Sequence, residues 1–476
     1  MQTLDYDTQP ATAEHVNDAA ITTAIELFFL SKKGVAAHLI DVATHDGIVV
    51  LTGIADNLLV RERAEEIALA VRGVRGVVNE LVISTPDIPD DDLNRHVATA
   101  VADDPAAGDY NVQASARDGV VTLRGTVQSW AEKNLLLRVV RGVRGVRRLE
   151  AEEVVIRWGE LHNSDDEITT QIRELLDWDI RVNSALVEIR TDDRTVHLAG
   201  TVGSAAEKAQ VEATAYQAGA RHVDARDLFV AYWALNTDLR RAKYATRPDE
   251  DIAKAVRDTF RFDPRVLSYQ PTVLVHHGIV TLSGAVSNLR AKQQAECDAR
   301  NVVGVWDVQN LLKVRTTHFV PDLNISSSII GALARDPYLG FFDFSVHVRN
   351  GRASLYGRVH SHFEQEQAGA VASGVNGVAD LDNWVSVAAS PGFDGFQVHA
   401  RKPNADFALA ERIRSRYFWS ASLHNQGVEV AVEKGRATLT GTVDTWLDRD
   451  QAAYDAYAAG ARYVDNDLLI STIGDL

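Results

Sequence analysis

The chain has 476 residues, of which 46% are hydrophobic and 24% charged, the balance of an ordinary soluble globular protein. Its formal net charge is −17, so it lacks the basic surface that phosphates require, and we predict no nucleic-acid partner. One cysteine excludes an intrachain disulfide. Because Cys297 lies in an apolar, helix-like stretch, we expect a buried and inert thiol.

The beginning of the chain differs from a secretory signal, which starts with basic residues and continues with an apolar run. The first twenty residues contain no lysine or arginine, and the apolar run 21–30 comes late and includes Glu26. No stretch approaches the ~18–20 apolar residues of a membrane span. The sequence therefore predicts a cytoplasmic protein.

A short pattern, a β-rich run ending in Leu-x-Gly, recurs six times. A second glycine follows after nineteen or twenty residues, and an asparagine stands six residues further on in four copies. An Asp-Pro pair precedes the pattern by 21 residues in three copies, and a tryptophan precedes it by 22 residues in two. The Leu-x-Gly glycines are Gly53, Gly125, Gly200, Gly284, Gly357 and Gly441. This register predicts six tandem modules, over 15–84, 91–157, 165–232, 249–315, 322–388 and 405–472.

The second copy indicates what each module forms. Apolar residues at helical spacing predict a helix that Asp104-Pro105 ends. Residues 110–116 and 120–127 alternate as strands, and Asp118-Gly119 supplies the tight turn between them. A second helix over 130–141 and a last strand complete the order α-β-β-α-β. We expect α+β modules, each with two helices on one face of a three-stranded mixed sheet.

The repeated glycine is interpreted as a kink or close-packing position, where the hairpin strand leads into the second helix. Modules of about 65 residues bury only about 60% of their unfolded surface, so the six are expected to support one another. Trp158 and Trp233 follow the second and third modules. Each would pack either against a neighbouring module or against the edge of its own.

An arginine stripe lies at the end of the second module's second helix. Its members are Arg138, Arg141, Arg144, Arg147 and Arg148. The first two share a helix face near the C-terminus, where cations suit the helix dipole. One hypothesis is a patch for phosphate or anionic head groups. The alternative is a solvated face paired with the glutamates of the following strand.

Other motifs give weaker signals. His360 and His362 could hold a metal with Glu364, but we interpret them as surface histidines without further ligands. The Gly-x-x-Gly segments 73–76 and 142–145 match the loop of the RNA-binding KH fold, yet here they would join a helix to a strand as a cap and turn. No nucleotide-binding or hydrolase motif occurs, so we predict no catalytic residue, metal or cofactor.

As a set, these motifs resemble the bacterial BON domain, named for osmotically inducible and nodulation proteins. The resemblance rests on Asp263-Pro264 and on the runs 278–286 and 304–310, and it covers about 21–472 in six tandem copies. It implies an αββαβ module without catalysis, tied to osmotic or envelope stress. It also implies that relatives bind anionic phospholipid, or potassium in one cytoplasmic case, and that related modules build secretin rings.

These observations predict a non-catalytic, stress-associated scaffold that forms a homo-oligomer and can bind an anionic membrane surface. The alternative is a cytoplasmic sensor of potassium or another small ligand, in which binding orders the array of modules.

Overall fold

The computed structural model describes residues 16–31, 35, 37–157, 163–235, 243, 247–316, 319–388 and 405–470. In each of six successive modules, a helix is followed by a β-hairpin, a second helix and a final strand. The predicted mixed α/β modules are therefore confirmed. Among the described residues, no helix has the length and apolar content needed to cross a bilayer.

The described residues contain two α-helices per module. The helices are α1 (Asp18–Ser31), α2 (Leu58–Leu69), α3 (Asp90–Asp103), α4 (Trp130–Arg141), α5 (Asp165–Trp178), α6 (Ala205–Gln217), α7 (Asp249–Phe260), α8 (Leu289–Arg300), α9 (Asp322–Arg335), α10 (His362–Ser373), α11 (Ala405–Trp419) and α12 (Trp446–Ala458).

The strands of modules 1 to 3 are β1 (Ile40–His45), β2 (Ile48–Ala55), β3 (Gly76–Asn79), β4 (Val82–Ile83), β5 (Asn111–Arg117), β6 (Val120–Val127), β7 (Arg148–Glu150), β8 (Val154–Ile156), β9 (Val187–Asp192), β10 (Thr195–Val202) and β11 (His222–Val230). Those of modules 4 to 6 are β12 (Thr272–His276), β13 (Ile279–Ser283), β14 (Ala285–Val286), β15 (Asp307–Asn310), β16 (Lys313–Val314), β17 (Phe344–Arg349), β18 (Arg352–Val359), β19 (Asp380–Val387), β20 (Gly427–Glu433), β21 (Arg436–Val443), β22 (Tyr463–Asn466) and β23 (Leu469–Ile470).

The second hairpin strand is the centre of every sheet. In module 2, β6 pairs antiparallel with β5 and parallel with β7 and β8, which the chain reaches through α4. Both helices cover one face of this sheet, where Leu93 of α3 and Leu136 of α4 pack with Leu123 of β6. The last strand is split in modules 1, 2, 4 and 6 but continuous in modules 3 and 5. The other face of each sheet is therefore free to differ between modules.

An aspartate at the start of each first helix holds the hairpin turn of its module. Asp18 accepts hydrogen bonds from the backbone N–H groups of Asp46 and Gly47 at 2.8 and 2.9 Å. Both turn residues have positive φ, so their amides are turned away from the strand ladder and need another acceptor. The equivalent aspartates are Asp90, Asp165, Asp249, Asp322 and Asp406.

The asparagine of the sequence register ties the last strand to the second helix. Asn79 donates from Nδ2 to the Arg61 carbonyl at 2.8 Å, and its Oδ1 accepts from the N–H of Leu81. The same contact is made by Asn310, Asn383 and Asn466. The two copies with alanine at this position, modules 2 and 3, use lysine ammonium groups instead, donated by Lys133 and Lys208.

The Leu-x-Gly glycines all lie in or beside the second hairpin strand and none lies in a helix, as predicted. Gly53 has φ +111, and a Cβ there would be 2.2 Å from the carbonyl oxygen of Leu39 on the neighbouring strand. The same close approach occurs at Gly125, Gly200 and Gly441. The glycine is therefore required because another backbone occupies the space of a side chain.

Replacing Gly53 with alanine should lower the free energy of unfolding by about 2–4 kcal/mol, because strain at φ is added to the collision with a backbone oxygen. Urea denaturation followed by circular dichroism measures the change. Gly76→Ala in the same module is the matched control, since Gly76 has an ordinary φ and a Cβ there meets only the tip of Ile48. Equal losses in the two variants would contradict this role.

Candidate functional site

Pairs of modules meet through a repeated contact between helix ends. Between modules 1 and 6, the N–H of Arg72 donates to the Trp419 carbonyl at 2.8 Å, and the N–H of Ala421 donates to the Ala70 carbonyl at 3.0 Å. The side chain of Arg72 also contacts His424, with 3.2 Å between Nη1 and Nδ1. These hydrogen bonds satisfy backbone groups that helix ends otherwise leave without an intrahelical partner.

The same contact joins modules 3 and 4 and modules 2 and 5. The N–H of Val303 donates to the Trp178 carbonyl at 2.9 Å, and that of Arg144 donates to the Arg335 carbonyl at 2.8 Å. In all three pairs the donor immediately precedes the second repeated glycine, and the acceptor stands 22 residues before the Leu-x-Gly glycine. Gly73 and Gly145 have positive φ and end the helix region. The Gly-x-x-Gly segments thus join a helix to a strand, as predicted.

A buried group of charges lies where modules 2, 4 and 5 meet. Arg265 pairs with Asp104 at 3.1 Å, and the two side chains are only 9% and 12% exposed. Arg290 donates to the Ala370 carbonyl of module 5 at 2.8 Å, and burial lowers its pKa to about 10. Burial raises the pKa of Asp263, against the opposing effect of nearby guanidinium groups that include Arg265 and Arg138. These charges lie between modules, so each compensates for the desolvation of another.

The Asp-Pro aspartates therefore have structural roles. Asp336 accepts hydrogen bonds from the N–H groups of Tyr338 and Leu339 at 2.8 and 3.0 Å, and from Nε2 of Gln367 at 2.8 Å. Burial nevertheless raises its pKa to about 6. The carboxyl shapes the turn after α9 and connects it to α10.

The arginine stripe does not form a single face. Arg141 pairs with Glu62 of module 1 at 2.7 Å, and Arg147 pairs with Asp87 in the segment between modules 1 and 2. The guanidinium of Arg144 lies 4.2 Å from the ring centroid of Phe341 in module 5. Three of the five arginines thus contact residues outside module 2, through ion pairs and a cation–π contact.

The other two arginines of the stripe are exposed. Arg148 lies 3.4 Å from Glu150, and Arg138 lies near the buried charges around Asp263. The structure therefore brings Arg138, Arg141 and Arg144 to junctions between modules, with Arg148 on the outer sheet. Head-group binding by the stripe stays a prediction.

Several tryptophans lie at junctions. Trp130 stacks on Tyr216 of module 3 with ring centroids 5.7 Å apart, and Nε1 of Trp446 donates to the Trp306 carbonyl of module 4. Trp233 is about half exposed, and Trp158 lies outside the described residues.

Cys297 is exposed, so the prediction of a buried thiol is wrong. Helix α8 turns Ala291, Ala295 and Ala299 into the core, which leaves position 297 beside a shallow groove of about 210 Å³ together with Trp446. Partial desolvation and the neighbouring Asp298 raise the pKa of the thiol. It is therefore protonated at neutral pH, the form with low nucleophilicity.

The histidine pair has other contacts. Glu364 accepts from the backbone N–H groups of His360 and Ser361, which caps α10. The ring of His362 stacks on Tyr457 of module 6, with centroids 4.1 Å apart. Within the ranges the structure describes, no group of three His, Cys, Asp or Glu residues could hold a metal ion.

Comparison with known families gives one match that covers most of the chain. The model of the BON domain matches residues 17–85, 89–157, 164–228, 248–316, 321–389 and 405–471. The chain belongs to the BON domain family. The resemblance and the number of copies predicted from the sequence are both confirmed.

Two curated proteins are similar to parts of this BON chain. Osmotically-inducible protein Y of Escherichia coli K12 is 26% identical over 190 residues, which cover 40% of this chain and 92% of that protein. An uncharacterized protein in the gshII 5′ region of Anaplasma centrale is 28% identical over 142 residues, covering 28% of this chain and 91% of that protein.

Among solved structures, the chain is similar to CdsD, a structural protein of the type III secretion system of Chlamydia trachomatis. The match is 14% identical and covers 48% of this chain and 94% of CdsD. Its TM-score of 0.13 is too low to describe a shared arrangement.

The junction residues of the BON modules were not predicted as contacts. Trp178 and Trp419 were recognised only as members of the repeat register, although they occupy the helix end that accepts the hydrogen bond. Their signal was positional: a large apolar residue in place of the polar helix end found in the other copies.

Proposed function

We propose that this chain is a non-catalytic BON scaffold that associates with copies of itself through the outer face of module 1 and acts in osmotic stress. The observation that carries the proposal is the apolar character of that face. Ile48, Ile54, Val78 and Val82 are all exposed there, and Val82 is 65% exposed. No such row is needed to fill the core, because Val49 and Leu51 already point into it.

These side chains are neighbours across the sheet. Val50 pairs in register with Val78, and Ile54 pairs with Val82. An exposed apolar patch of this kind is typical of an interaction surface. In a twofold dimer the same patch can face itself, so a second copy is a suitable occupant.

The link to stress rests on the relative from Escherichia coli, whose name records induction by osmotic change. The cytoplasmic location stays a prediction from the sequence, to be checked by cell fractionation.

Light scattering coupled to size-exclusion chromatography tests self-association. We expect the wild type to elute as an oligomer and Ile54→Lys/Val82→Lys to elute at a lower mass, because buried lysines without partners oppose association. Val155→Lys is the matched control, since Val155 is an exposed strand residue on the more polar outer face of module 2. A monomeric wild type would remove the scaffold. An oligomer unchanged by the double lysine variant would remove this surface.

Binding to anionic phospholipid is a further part of the proposal, with Arg138 and Arg148 as the exposed cations of the stripe. Each cation near such a surface contributes about 1 kcal/mol at low salt. Flotation of the protein with anionic liposomes, but not neutral ones, would support it.

The second candidate is a ligand sensor, favoured by a cleft of about 380 Å³ between modules 3 and 4. Glu174 and Asp251 line the cleft beside Trp178, so it could accept a cation. A monomer whose dimensions in small-angle scattering change with potassium would favour this candidate over the scaffold.

A further inference from the structure

The outer face of module 5 carries an aromatic pair that the fold does not require. Tyr356 of β18 and Trp384 of β19 are directly opposite each other in the parallel register. They are 42% and 63% exposed. The core beneath is filled by the alternate residues Leu355 and Val385, which are buried. An exposed tryptophan therefore adds little to the stability of its own module.

The equivalent positions in other modules hold different residues. The position before the Leu-x-Gly glycine is Thr52, Arg124, Ala199, Ser283 and Thr440 in modules 1, 2, 3, 4 and 6. The position after the repeated asparagine is Glu80, Leu311 and Asp467 in modules 1, 4 and 6. Module 5 alone combines two aromatic residues at these places, and its strand β19 runs without a break beneath them.

A polar groove continues from the aromatic pair along the same face. It has a volume of about 580 Å³, and its lining includes His347, Arg349, Ser354 and Asp382. Register places Ser354 between His347 and Asp382, one pleat away from the row that holds the aromatic pair. The ring of His347 stands edge-on to Tyr356 with centroids 6.0 Å apart.

Hydrogen-bonding groups in the groove are both donors and acceptors. Arg352 donates from Nε and Nη2 to the two carboxylate oxygens of Asp382 at 2.8 and 2.9 Å. This bidentate pair fixes the guanidinium and the carboxylate in one plane. Ser354 adds a hydroxyl that can donate or accept.

We propose that the outer sheet face of module 5 binds a neutral carbohydrate chain, with sugar rings on Trp384 and Tyr356 and hydroxyls in the groove. A pyranose has an apolar C–H face that packs on an aromatic ring. Its rim of hydroxyls both donates and accepts, and so matches an adjacent arginine, carboxylate and serine.

Charge distinguishes this ligand from a single-stranded nucleic acid, which also stacks on aromatic side chains. Phosphates need donors, whereas Asp380 and Asp382 present carboxylates on the same face. Arg349 and Arg358 are cations without an ion pair among the described residues, but the chain as a whole carries −17. A neutral ligand avoids the repulsion that this acidic surface imposes on a polyanion.

Affinity electrophoresis of the full chain through gels containing xylan, hydroxyethyl cellulose, mannan or dextran tests the proposal. We expect at least one polysaccharide to retard the wild type, and Tyr356→Ala/Trp384→Ala to weaken binding about tenfold or more. Phe229→Ala is the matched control and should bind as the wild type does, because Phe229 is an exposed strand aromatic of module 3 without such a groove. Arg352→Gln should weaken binding without changing the melting temperature, since the pair is half exposed.

Three results would overturn the proposal. The first is no retardation by any of the four polysaccharides. The second is retardation that the double alanine variant leaves unchanged although circular dichroism shows it folded. The third is salt-sensitive binding of a labelled oligothymidine that the double variant abolishes, without polysaccharide binding, which would assign the face to nucleic acid. None of these results depends on whether the chain self-associates.

Discussion

Replacing Arg416 with methionine is expected to lower the free energy of unfolding by about 3–5 kcal/mol. Nη2 of Arg416 lies 2.9 Å from Oδ1 of Asp455, and the side chains are only 5% and 3% exposed. Without the guanidinium, the buried carboxylate keeps Nε2 of Gln451 at 3.0 Å but has no compensating charge. The variant also loses the contact of Arg416 with the ring of Phe28 in module 1, at 4.3 Å from the centroid.

Urea denaturation of three variants separates these effects. Arg436→Met removes a half-exposed pair with Asp465 in the same module, and we expect a loss of at most about 1 kcal/mol. Arg416→Met/Asp455→Leu removes both buried charges and should recover most of the stability lost in the single variant. Equal losses for Arg416→Met and Arg436→Met would show that burial does not set the cost.

A single module cut from the chain is expected to melt about 15 °C or more below the whole protein. In the whole chain, module 5 receives a backbone hydrogen bond at Arg335, whose side chain also pairs with Asp103 at 2.8 Å. The guanidinium of Arg63 lies 3.7 Å from the ring centroid of Phe363. All of these contacts come from other modules, and an isolated module 5 loses them.

Calorimetry of residues 319–388 measures the difference. A piece covering residues 249–388 is the graded control, because it restores the Arg290 contact from module 4 but not those from modules 1 and 2. Its melting temperature should fall between the two. Equal melting temperatures for module 5 and the whole chain would contradict mutual support.

The sequence predicted what local patterns determine. Helix α4 spans the predicted residues 130–141, because its apolar spacing and the Ser129 cap are both local. The hairpin turn forms at Asp118-Gly119, where both residues have the positive φ that a tight turn needs. The repeated glycine was predicted because its strand context recurs, even though the carbonyl it accommodates belongs to another strand.

Contacts between modules were beyond the reach of these patterns. Arg72 and Trp419 lie at opposite ends of the sequence, and periodicity in either segment contains no record of the other. Cys297 was misplaced because an alanine-rich helix has two weakly apolar faces, and the face with Ala295 and Ala299 is the one in the core. The arginine stripe was read as one surface because neighbours in sequence were assumed to face the same way.

The three helix-end contacts pair modules 1 with 6, 2 with 5 and 3 with 4, so the pairs are nested around the middle of the chain. Once modules 3 and 4 have joined, only two short flanks separate modules 2 and 5, and their joining does the same for modules 1 and 6. Each closure shortens the loop that the next must close, which lowers its entropic cost. Assembly can therefore proceed like a zipper from the centre outward. During synthesis the first module must wait for the last to leave the ribosome, since its partner is made at the end.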